Sequence, residues 1–158
     1  MSIEDEVTKY IPELARLRDK ITLRHLLHHT SGLRQQEVLR ELAGWKMDDL
    51  ETQAQTLKLL SKQREINFTP GEKYEYSNSG YFLLAEVVSR VSGLSFTEFT
   101  NKRIFKPLGM TKSAFAADYY TLIKNKAYSY QLSNNGFAKR ILTSNRAGST
   151  GLPTTTED

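Results

Sequence analysis

The 158-residue chain is the length of one ordinary domain, and its 39% hydrophobic and 10% aromatic content can fill a core. Lysine plus arginine (22) exceed aspartate plus glutamate (18), but the surplus is spread along the chain and forms no basic stripe of the nucleic-acid-binding kind. With no cysteine, disulfides, thiolate metal sites and a cysteine nucleophile are excluded, and no apolar run approaches the ~18 residues of a membrane-spanning helix.

In chain order, IEDEVTKYI reads as a short amphipathic turn that stops near Pro12. Thr22 is placed to cap LRHLLHH, which ends at the turn Thr30-Ser31-Gly32. QQEVLRELAGW and DDLETQAQTLKLLSKQ space apolar residues by three and four, the period of a helix face, with Asp48 or Asp49 as cap of the second. Pro70-Gly71 in INFTPGEKYEY breaks the pattern. The next helix, from Tyr81 to Val91, carries apolar residues almost all round, as a buried central helix does, and Gly93 ends it. Ser95 starts another, FTEFTNKRIF, which stops before Pro107.

After Asp118 the character changes. AYSYQLSNNGFAKRIL alternates on both sides of Asn135-Gly136 and predicts a β-hairpin over 127–142. The expected architecture is therefore mainly α, with one small antiparallel hairpin near the C-terminal end. Residues 1–118 form the helical part and 119–158 the hairpin and a connecting stretch. Thr154 and Glu157 have the spacing of a capping box that opens a helix, yet no helix follows, the pattern of a piece excised from a longer chain.

Three sets of residues offer chemistry. His25, His28 and His29 share a helical spacing that metal ligands often use, but no further ligands are signalled nearby, and amphipathic helix termini account for them. Ser31 beside His29 suggests a serine–histidine pair only on paper, because neighbouring turn positions rarely meet. No Gly-x-Ser-x-Gly elbow and no Ser-x-x-Lys occurs, so no nucleophile is identifiable and no metal or cofactor is called for.

The third set is Tyr76-Ser77-Asn78-Ser79, a polar cluster at the start of the apolar helix. Ser77, Asn78 or Ser79 would serve as ordinary caps for the first free amides. A phenol and an amide at a helix N-terminus can do more. The positive end of the helix dipole favours anionic oxygen there, so the phenol could take a proton from an attacking hydroxyl while the amide binds a carbonyl.

ITLRHLLHHTSGL, FTPGEKYEYSNSGYFLLAEVVSRVSGLSF, IFKPLGMTKSAF and GSTGLPTTTED follow one another in this order. Together they resemble the serine β-lactamase-like family of class C β-lactamases, D-alanyl-D-alanine peptidases and certain esterases. That resemblance implies the helical subdomain of the β-lactamase/transpeptidase-like fold and an acyl-enzyme mechanism built from three motifs. Only the Tyr-x-Asn motif lies here. Tyr76 carries over as the catalytic proton-transfer residue and Asn78 as the substrate-binding residue. The Ser-x-x-Lys and Lys/His-x-Gly motifs are missing, so the chain reads as an internal segment of a longer hydrolase and as inactive by itself. A non-catalytic helical binding module of the same fold is the rival reading. The implied partner is a small-molecule or peptidoglycan-type substrate, with no nucleic acid, and family analogy favours an extracytoplasmic setting.

Overall fold

The computed structural model describes residues 1–46, 49–116, 122–134, 136–140, 144–145 and 147–158. The N-terminal stretch forms two single 3₁₀ turns, Val7–Lys9 and Pro12–Leu14. Pro12 opens the second turn, where its missing N–H and fixed φ are harmless. The stretch is pinned from outside: Val7 N donates to Ile21 O (2.8 Å) and Leu23 N to Asp5 O (3.0 Å).

Helix α1 (Leu23–Leu27) starts at the predicted cap. Thr22 Oγ1 accepts from His25 N (3.2 Å) and His25 Nδ1 accepts from Thr22 N (3.3 Å), a reciprocal box in which histidine replaces the usual glutamate. Helix α2 spans Gln36–Leu42 and α3 spans Gln53–Ser61. The cap of α3 is Thr52, boxed with Gln55, and not an aspartate: Asp49 Oδ2 instead accepts from Lys46 N (2.7 Å), and Asp48 lies outside the described residues. Thr52 wins because its hydroxyl stands three residues from an amide side chain that can return the bond.

Helix α4 (Asn78–Ser92) is the axis of the domain, about 22 Å long at 1.5 Å per residue. Its burial is one-sided. Phe82, Leu83, Ala85 and Val87 are buried, whereas Tyr81 and Val91 are exposed, which corrects the expectation of a helix buried all round. The core joins Phe82, Leu83 and Val87 to Val7, Ile11 and Leu14 of the N-terminal turns, Leu23 and Leu26 of α1, Leu39 of α2 and Leu60 of α3. Each such side chain contributes roughly 1.5–3 kcal/mol on leaving water. From the far end of α4, Arg90 donates to both oxygens of Glu13 (2.8 Å each), to Glu86 (2.8 Å) and to Tyr10 O (3.2 Å). Its guanidinium holds the Glu13 carboxyl below the usual carboxylate range. Gly93, in the left-handed conformation, ends α4 as predicted.

Helix α5 (Phe96–Thr100), boxed at Ser95 and Glu98, runs on through a π-helical turn over Asn101–Phe105. Strand β1 (Glu51–Thr52) pairs in parallel with β4 (Ser144–Asn145), an addition to the expected hairpin. Strands β2 (Ser129–Ser133) and β3 (Gly136–Arg140) pair antiparallel. Asn135, the end of the predicted hairpin range and the boundary expected near 118 lie outside the described residues. Thr154 and Glu157 do not box a helix. Thr154 Oγ1 meets Ser113 Oγ (2.6 Å) and Glu157 pairs with Lys112, so these side chains fasten the C-terminal segment to 112–116.

Two features hold the framework. One is a buried ion pair: Arg40 Nη1 of α2 lies 3.0 Å from Glu51 Oε2 of β1, and Thr56 of α3 donates to the other carboxylate oxygen (2.5 Å). The other is the turn after α1. The loop 67–75 lies along it, with Asn67 N donating to Gly32 O (2.8 Å), Gly71 N to Thr30 O (2.8 Å) and Glu75 N to His29 O (2.9 Å). Gly32 has φ +70°, and a Cβ there would stand 2.2 Å from Phe68 O, so glycine is required on both counts.

Gly32→Ala should therefore destabilise the fold by roughly 2–4 kcal/mol, the sum of left-handed strain and backbone collision, read as a lowered urea midpoint. Arg40→Met removes the cation beside a buried carboxylate and should cost about 3 kcal/mol, while Glu51→Gln in the same background should recover part of it. Additive losses from the two changes would contradict the pairing.

Candidate active site

Tyr76 and Asn78 come together. Ser77, the residue between them and the N-cap of α4, is extended (φ −142°, ψ 117°). In extended backbone, side chains two apart share a face, so Tyr76 and Asn78 point the same way and Ser77 points inward. The Tyr76 hydroxyl donates to Asn78 Oδ1 (2.9 Å). The Tyr76 side chain is 53% exposed, whereas Ser77 is 3% exposed.

The polar cluster does not cap its own helix. Ser77 makes no side-chain cap bond, Asn78 turns its carbonyl to Tyr76, and Ser79 Oγ donates to Arg34 O (2.7 Å). The cap comes from α2. Gln35, the N-cap of α2, accepts at Oε1 from Asn78 N (2.9 Å) and donates from Nε2 to Tyr76 O (2.8 Å). In return Ser79 Oγ accepts from Gln36 N (2.9 Å), the first amide of α2. Two helix N-termini thus satisfy each other's free donors, the demand that every helix start imposes.

His29 supports the pair from below. It sits past the end of α1 with φ +56°, outside the helix, so the three histidines share no face. His25 is spent on its capping box and His28 is the C-cap of α1. The His29 Nδ1 accepts from Ser77 N (3.1 Å), and its ring contacts Tyr76 (4.5 Å between centroids), Tyr81 (5.0 Å) and Tyr74 (5.9 Å). Tyr81, one turn into α4, closes the set by donating to Leu27 O (3.2 Å). Among the described residues no group of three or more metal-ligating side chains occurs. Ser31 is buried, its hydroxyl accepting from Leu33 N (3.3 Å), the geometry of a turn and not of a nucleophile.

His29 and Gln35, together with Glu37, whose Oε1 accepts from Asn78 Nδ2 (3.3 Å), are the residues of this candidate site that motif reading misses. Each meets Tyr76-Ser77-Asn78 across more than forty positions, and no local pattern marks such a contact. A glutamine at a helix start reads simply as a poor cap, and His29 as part of a histidine run.

A cavity of about 610 Å³ opens elsewhere, between α4, α5 and the segments 112–116 and 147–153, walled in part by Glu86, Ser89, Phe96 and Phe115. Neither Tyr76 nor Asn78 lines it. A hydroxyl and an amide held on one exposed face form a single wall, which is not concave by itself. Chemically the pair can move a proton through the phenol and orient a carbonyl through the amide N–H. Attack on that carbonyl requires a nucleophile from outside the pair.

The sequence model of the Beta-lactamase family matches residues 1–158. Penicillin-binding protein 4* of Bacillus subtilis (strain 168) is 32% identical over 119 residues, which cover 72% of this chain and 25% of that protein. A D-aminopeptidase of Brucella anthropi is 29% identical over 116 residues, covering 73% of this chain and 22% of its own length. The chain therefore spans about a quarter of these curated relatives. In structure it is similar to the octameric penicillin-binding protein homologue from Pyrococcus abyssi, with TM-score 0.82 and 28% identity over 99% of this chain and 37% of that one. A match along the whole chain, on a fold shared with a penicillin-binding protein homologue, means that this chain belongs to the Beta-lactamase family.

Proposed function

We propose that the chain is the mainly α helical subdomain of a longer serine hydrolase that acts through an acyl-enzyme on a β-lactam, peptide or ester carbonyl. Residues 1–118 make up the helical part, and 119–158 carry the hairpin and lead back to an α/β domain. Tyr76 is the proton-transfer residue and Asn78 the substrate-binding residue. The observation that carries this reading is the hydrogen-bonded Tyr76–Asn78 pair, exposed at the mouth of an otherwise anchored helix. A purely structural tyrosine has no need of that geometry, since its ring alone would pack against His29.

In the proposed cycle the serine and its activating lysine come from outside this chain. As the Tyr76 oxygen takes the proton of the attacking hydroxyl, it passes its own phenol proton to the lysine amine, and the same relay run in reverse protonates the leaving group. Asn78 Nδ2 holds the substrate's carbonyl side against that axis. Curated relatives named D-aminopeptidase, among them that of Brucella anthropi, support a peptide-like or amide carbonyl as the substrate. No helix of the described residues is long and apolar enough to cross a membrane. By analogy with the penicillin-binding relatives, we place the protein's action outside the cytoplasm.

Two measurements test this. In the full-length protein, Tyr76→Phe keeps the ring and removes the hydroxyl, and should lower kcat/KM by at least ~10²-fold with little change in melting temperature. Near-wild-type turnover by that variant would reduce Tyr76 to a packing residue. The 158-residue chain by itself should leave a chromogenic cephalosporin and a nitrophenyl ester at buffer background, because acyl transfer needs an activated nucleophile. Turnover that scales with protein concentration would overturn the second expectation.

A further inference from the structure

Behind the exposed pair stands a carboxylate that the family motif does not include. Glu37, in the first turn of α2, accepts at Oε1 from Asn78 Nδ2 (3.3 Å) and from Gln36 Nε2 (3.2 Å). The Gln36 side chain is fully buried, and its Nε2 also reaches Ser149 Oγ (3.5 Å). The cluster is therefore built into the packing and is not a chance surface meeting.

The chemistry of the partners sets a direction. An asparagine amide presents a carbonyl at one end and an NH₂ at the other, and rotating it by half a turn exchanges them at little cost in shape. A carboxylate can only accept. With Glu37 on one side, the NH₂ must face Glu37 and the carbonyl must face Tyr76. The Tyr76 hydroxyl then has an acceptor in Asn78 Oδ1 and points its hydrogen along that line. One hydrogen of the NH₂ stays free to meet a substrate. Were the amide reversed, the phenol would face a donor and its hydrogen would swing away.

We propose that Glu37 is a positioning residue, which sets the orientation of the Asn78 amide and through it the direction of the Tyr76 hydroxyl. The role deepens the function proposed above and rests on it for its catalytic consequence, though not for its geometry. Gln35 holds the backbone on both sides of Ser77, and Glu37 holds the one side-chain rotation that the backbone clamp leaves open. The two act on the motif from the N-cap and the first turn of one short element. No covalent step is assigned to Glu37, which stays an acceptor throughout.

The experiment uses the full-length protein, labelled with ¹⁵N-asparagine, together with steady-state kinetics on a nitrophenyl ester. Glu37→Met removes the acceptor at similar length, and Glu37→Gln restores an acceptor oxygen without the charge. Glu37→Met should shift the Asn78 side-chain resonances and speed their exchange with solvent. It should also lower kcat about tenfold with KM changed by less than about threefold, the loss of roughly one hydrogen bond in the transition state. Glu37→Gln should recover most of both effects, and the melting temperature should not follow the kinetic order of the variants. Unchanged Asn78 resonances in Glu37→Met would overturn the proposal, as would a loss of kcat that tracks melting temperature across both variants. Failure of the proposed function looks different: Tyr76→Phe would be silent while Glu37→Met still released the Asn78 amide.

Discussion

The mutual capping of α2 and α4 is the interaction on which the site depends. A helix start leaves four amides without intrahelical partners, and burying two such starts side by side would ordinarily be costly. Here Gln35 serves the first amide of α4 and Ser79 serves the first amide of α2. The exchange needs no water and leaves the polar side chains on the outer face free of capping duty. Because the Gln35 amide also binds the carbonyl of Tyr76, the residue between the two bonds is held extended. That single extended residue puts Tyr76 and Asn78 on one face.

The turn at 29–32 supplies the platform for this exchange. Gly32 lets the chain reverse in a conformation that a side chain would obstruct, and the loop 67–75 lies on it through three backbone hydrogen bonds. The loop delivers Tyr76 to the His29 ring, and the His29 nitrogen then fixes Ser77. Each contact narrows the conformations left to the next. Hydrophobic burial along α4 gives the assembly its stability, whereas these polar contacts give it direction. A core of Phe82, Leu83 and Val87 would hold the helix in place without determining which way a phenol at its tip points.

The anchored end and the candidate site lie at opposite ends of the same helix. The far end of α4 is tied by Arg90 to Glu13 and Glu86, and its inner face is packed against the N-terminal turns and α1. The near end carries the exposed pair. A rigid element with one open tip suits positioning work, since the side chains there inherit the order of the helix while staying in reach of a substrate. The buried Arg40–Glu51 pair has a comparable place on the other side of α2, holding β1 to the helix whose first turn bears Gln36 and Glu37.

Local rules made much of this legible in the sequence. The Thr22 cap, the stop at Gly93 and the Ser95 start each depend on a few consecutive residues. Tyr76 and Asn78 were singled out by the resemblance of their stretch to a Tyr-x-Asn motif and not by its spacing alone. Where local rules misled, a distant partner had a stronger claim on the same atoms. Ser79 looked like a cap for its own helix and became an acceptor for another. His29, Gln35 and Glu37 carry no local signature at all, because their roles arise only when chain positions more than forty residues apart are brought within hydrogen-bonding distance. A hydrogen bond reads distance and angle, and neither exists until the tertiary fold has closed.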